Sequence, residues 1–75
     1  MNSLYMKVNG ATYAQAGVTT KEKVDEVRQR LLDSNLVEND LHIIYSGNDK
    51  YEVFVHAEHW TLRHSSLIDT ITNSK

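Results

Sequence analysis

Seventy-five residues, 40% of them hydrophobic and 24% charged, predict one small folded domain of the ordinary soluble kind. A formal net charge of −2 lacks the basic excess that lets a free-standing nucleic-acid binder displace phosphate counterions. The absence of cysteine removes disulfide stapling, thiolate catalysis and cysteine-rich zinc sites together, and suits a reducing compartment.

No apolar run approaches the roughly 18 residues that span a bilayer. The opening MNSLYMKVNG has no signal-peptide core. The expected location is therefore cytoplasmic, in the host cell if the gene is viral. A chain this short buries only about 60% of its unfolded surface, so pairing of two copies would add burial that one copy lacks.

Ser3–Val8 alternates Leu4, Met6 and Val8 against Tyr5 and Lys7, the period-two pattern of a strand. Asn9-Gly10 follows, a pair that accepts the positive φ of a type I′ turn, and predicts a hairpin returning through Ala11–Ala14. The return run is rich in alanine, a poor strand former, and leaves open whether residues 11–16 form a strand. Thr19-Thr20-Lys21-Glu22 fits a capping box, with the Thr19 hydroxyl accepting from the Glu22 amide. The helix this predicts, over about 20–34, carries Val24, Val27, Leu31 and Leu32 as one apolar stripe, and sets Glu26 and Arg30 for an i,i+4 pair. Asp33-Ser34-Asn35 ends it, with Asn35 suited to the left-handed region and Leu36 to the closing apolar contact.

The stretch Asp40–Ala57, DLHIIYSGNDKYEVFVHA, is the centre of the chain. Two alternating runs flank a turn of residues that tolerate positive φ. A Gly47-Asn48-Asp49 loop pairs Tyr45 with Tyr51, Ile43 with Val53 and Leu41 with Val55, making one face wholly apolar. A Gly47-Asn48 loop would instead bring Lys50 and Glu52 among those residues. Because a slip of one residue reverses every side chain, burial selects the first register. After Ala57 the period changes: Trp60, His64, Leu67, Ile68 and Ile71 share one helical face, predicting a helix over about Glu58–Thr72 with a frayed tail at 73–75.

The expected fold is therefore α+β: an antiparallel sheet of three or four strands in the order β(β)αββα, both helices on its apolar face. The expected core joins Val24, Val27, Leu31 and Leu32 to Trp60, Leu67, Ile68 and Ile71, with Leu4, Met6, Ile43, Val53 and Val55 completing it. In layout the chain resembles the DinI-like modulators of recombinase filaments. Their C-terminal helix is acidic, whereas Asp69 is the single acid after Glu58 here, so neither their activity nor their residues carry over.

Chemistry-bearing residues are few. His56, His59 and His64 lie within nine residues, but His59 and His64 diverge by about 140° on a helix of 3.6 residues per turn, which does not hold a metal. His64, Ser65, Ser66 and Asp69 include the residue types of a hydrolase triad without the convergence one requires. No catalytic, cofactor or metal site is expected.

What remains is a sheet face bearing His42, Ile44, Glu52, Phe54 and His56, too apolar for a solvated surface and too polar for a deep core, as binding patches are. It points to a small non-enzymatic adaptor or inhibitor that binds another protein, of the kind common in phages and mobile elements, or to a homodimer using the same face. The alternative is nucleic-acid binding through Lys23, Arg28 and Arg30 on the first helix, with Tyr45, Tyr51 and Phe54 as stacking platforms.

Overall fold

A computed structural model describes residues 4–74. Strand β1 (Tyr5–Val8) turns into β2 (Ala11–Thr20); helix α1 (Val24–Leu32) follows, then a single 3₁₀ turn over Glu38–Asp40. Strands β3 (Leu41–Gly47) and β4 (Lys50–His56) form the central hairpin, and α2 (Leu62–Thr72) closes the order. The sheet is fully antiparallel with strand order β1-β2-β4-β3, so the long β2 and β4 are central. The expected α+β architecture is present with its optional fourth strand. Among the described residues no helix is long and apolar enough to cross a membrane.

Both hairpin turns follow their local chemistry. Asn9 (φ 51°) and Gly10 (φ 85°) form the type I′ turn that aligns Val8 with Ala11. In the second hairpin Leu41 faces Val55, Ile43 faces Val53 and Tyr45 faces Tyr51, the register that burial selects. The loop itself differs from expectation. Gly47 pairs with Lys50 around Asn48 (φ 56°) and Asp49 (φ 59°), and a register shift between Tyr45 and Gly47 accommodates Ser46 as an extra residue. The bulge reconciles a two-residue turn with the register of a three-residue loop.

Val27, Leu31, Val53, Val55 and Ile68 have no exposed surface, and with Ala16, Leu36, Leu41 and Ile71 they form one cluster between the helices and one sheet face. Leu32, Ile43, Trp60 and Leu67 pack around it as expected. Asn35 takes the left-handed conformation (φ 73°) and returns Leu36 to this core.

Four expectations are corrected. Thr19 and Thr20 do not cap α1; they extend β2 opposite Tyr51 and Lys50, and the helix begins only at Val24, after a turn in which the Lys23 amide donates to the Thr20 carbonyl. A cross-strand ladder with buried neighbours outweighs one local cap, worth about 1 kcal/mol. Second, α2 begins at Leu62 rather than Glu58, and Trp60 precedes it, with its indole N–H donating to the Gln15 carbonyl at 3.2 Å. Third, Leu4 is 61% exposed, and Met6 pairs with Tyr13 on the face away from the helices, so neither belongs to the core. Fourth, among the described residues the ion pair made from α1 joins Arg28 to Glu38, not Arg30 to Glu26. The expected strand start at Ser3, and Lys75 of the tail, lie outside the described residues; the Asn73 and Ser74 amides still bond back to Asp69 and Ile71.

Candidate functional site on the open sheet face

Directly opposed residues of a sheet share a face, so the registers fix which side chains lie away from the helices. They form three rows across the strands. Met6, Tyr13 and His56 make the first, Gln15, Phe54 and His42 the second, and Val18, Glu52 and Ile44 the third. All five candidate residues (His42, Ile44, Glu52, Phe54 and His56) are thus brought onto one face that no helix covers.

The rows differ in what they offer. In the third, Val18 and Ile44 are each 42% exposed and stand on either side of the half-buried Glu52. At the other end Tyr13 lies beneath the surface, edge-on to His42 (ring centroids 4.5 Å apart) and to His56 (5.3 Å). Its hydroxyl donates to the Asn39 carbonyl at 2.9 Å, tying the ring across the face. Phe54, expected to be exposed, is 5% exposed and sits apart from the helix-side cluster. It is the floor of this face, a second and smaller apolar layer, while Ile44 and Val18 are what a partner can reach.

Tyr13 and Val18 were invisible as site residues because both lie on β2, whose alanine-rich sequence hides its length. The signal was the alternation of Tyr13 with Ala14, in phase with Met6 across the Asn9-Gly10 turn.

The remaining histidines are occupied otherwise. His59 Nε2 lies 4.0 Å from the Asp40 carboxylate, and its ring is 5.7 Å from that of His56. His64, 8% exposed, accepts the Thr61 amide on Nδ1 at 3.2 Å. Burial, and secondarily the charge of His59, hold its pKa below the ordinary 6.5. Among the described residues no three histidine, aspartate or glutamate side chains converge as metal ligands do.

The basic residues of the alternative reading do not gather. Lys23 precedes α1, Arg30 is exposed in its last turn, and Arg28, about 140° away from Lys23 at 3.6 residues per turn, is paired with Glu38. Nor do the aromatic groups: Tyr45 and Tyr51 stack edge-on at 5.2 Å on the helix side of the sheet, opposite to Phe54. No protein-family model matches the chain, and no curated protein or solved structure matches it either.

Proposed function

We propose that this chain is a small non-enzymatic adaptor or inhibitor that binds another protein through the open sheet face. One observation carries the reading: Val18 and Ile44 stand exposed on either side of Glu52, on the face opposite both helices. Two aliphatic side chains give a partner apolar area, and the carboxylate between them and the flanking His42 and His56 give polar direction, the make-up of a small interface. Phe54 and Tyr13 act from beneath, holding the face rigid so that little ordering entropy is lost on binding. A second copy of the chain could use the same face. The absence of cysteine suits action in a reducing cytoplasm, that of a host cell for a phage-encoded protein.

The test is a comparison of the wild type with Ile44→Asp. Immobilised on beads, each is challenged with host lysate before and after nuclease treatment, and each is sized by sedimentation equilibrium. Ile44→Asp should keep the wild-type helical circular dichroism while losing the retained protein or the dimer. Retention of every partner by the variant would sink the reading. Partners that disappear with nuclease would transfer the function to nucleic-acid binding.

A further inference from the structure

Between β4 and α2 the chain makes two tight turns, each closed by a histidine. His56 Nδ1 accepts the amide of Glu58 at 3.2 Å, and His64 Nδ1 accepts the amide of Thr61 at 3.2 Å. The first imitates an Asx turn, in which a side chain accepts the amide two residues on. The second is a capping box in the form Thr-x-x-His, where glutamate or glutamine ordinarily takes the third helical position. An imidazole accepts on Nδ1 only when neutral with its proton on Nε2; imidazolium donates from both nitrogens. We propose that the His56–His64 connection is a proton-released latch worked by His64: when its imidazole takes up a proton the capping acceptor is lost, and the first turn of α2 comes free of the segment that follows α1.

The surroundings sharpen the response at His64. It sits at a helix N-terminus, where the macrodipole already disfavours a cation. The charged groups that share its cleft are His59 and Arg63; Glu58 in the connection and Asp69 farther along α2 do not line it. The segment packed against it from the end of α1 offers Ser34, Asn35 and Leu36, none of which titrates. Asp33, next along, accepts from Gln29. From outside the connection, the Asp40 carboxylate faces His59 instead. Around His56 stand the Tyr13 ring from β2, His59 and Glu58.

The direction follows from linkage. A base whose pKa is lower folded than unfolded favours the folded state in full above its unfolded value, about 6.5. That contribution drains away as the pH falls through the folded value. What opens is bounded: Ile68 against Gly17 keeps the body of α2 on β2, so release is confined to the first turn and the connection, which holds Trp60 bonded to Gln15.

The wild type and the double variant His56→Asn/His64→Gln decide it, since asparagine and glutamine keep a side-chain acceptor at each place and do not titrate. In the wild type at pH 7.5, side-chain nitrogen NMR should show both imidazoles protonated on Nε2. Between pH 7.5 and 5.0, amide-exchange protection at Thr61 and the first turn of α2, corrected for intrinsic rates, should fall about five- to tenfold, the scale of one lost hydrogen bond. The double variant should hold its protection. A His64 protonated on Nδ1, wild-type protection unchanged by acid, or a variant that loses protection as steeply as the wild type would each overturn the latch. Should the variant not fold, the two wild-type readings decide alone.

Discussion

The Thr72 hydroxyl donates to the Thr19 hydroxyl across 2.7 Å, joining the last residue of α2 to a central strand 53 positions earlier in the chain. Thr19 has no exposed surface, whereas Thr72 is only part-buried. The two ends are therefore not equivalent. Thr72→Val strands a fully buried hydroxyl and should cost about 1–3 kcal/mol; Thr19→Val leaves a hydroxyl that can turn to water and should cost about 1 kcal/mol. The double variant should lie nearer wild type than Thr72→Val alone. Urea unfolding of the four proteins tests this, and equal costs for the two single variants would refute it.

Gly17 is set by contact, not by conformation. A Cβ built there lies 3.0 Å from Ile68 Cγ2 and 3.4 Å from Ile68 Cβ, both in the fully buried side chain that anchors α2. Gly17→Ala, which elsewhere in a strand would help, should destabilise by about 1–3 kcal/mol through overpacking. Ile68→Ala should cost about 2–5 kcal/mol by opening a cavity. In that background Gly17→Ala should cost nothing or restore part of the loss, because the added methyl enters the space vacated. Additive losses in the double variant would show that the helix does not rest on Gly17.

The same contact explains what could be read from the sequence. The register of β3 on β4 was legible because one parity is wholly apolar and a slip would bury Lys50 and Glu52. The Asn9-Gly10 turn and the left-handed Asn35 were legible because their backbone requirement is local. The length of β2 was not. A strand that serves as the floor for Ile68 needs a small residue at Gly17, beside Ala16 of the same core, and both have low strand propensity; the reason for Gly17 lies about 50 positions away. The Thr19–Glu22 box misled for the complementary cause: a sound local motif yielded to pairing with β4. For the site, alternation placed five residues on one face. It could not show that Phe54 is covered there, because its neighbours Tyr13 and Gln15 come from the strand that was hidden.

Asp49 occupies the second position of a type I′ turn with φ 59°, a region that costs a residue with a Cβ more than it costs glycine. The Asp49 carbonyl accepts the Lys21 amide at 2.9 Å, a bond the backbone keeps whatever the side chain. Asp49→Gly creates the preferred Asn-Gly pair and should stabilise the domain by about 0.5–1 kcal/mol, the relief of strain exceeding the entropy that glycine adds to the unfolded chain. The midpoint of thermal unfolding should rise by a few degrees. A fall would mean that the Asp49 side chain makes a contribution the turn geometry does not contain.

Phe54 and Ile44 are near neighbours on the open face, in the second and third rows, yet one is 5% and the other 42% exposed. Substitutions there should separate folding from binding. Phe54→Ala should cost about 3–5 kcal/mol, a large part of the 5–15 kcal/mol that holds a small domain folded, so any loss of binding it causes will accompany loss of structure. Ile44→Asp should change stability by less than about 1 kcal/mol, since edge-strand position and exposure let the carboxylate reach water. Its effect should fall on association alone. If Phe54→Ala proved nearly as stable as wild type, the apolar layer beneath this face would not be a second core, and the rigidity ascribed to the face would lose its basis. If Ile44→Asp unfolded the chain, β3 would depend on that face for its place in the sheet, and the face would be structural before it was functional.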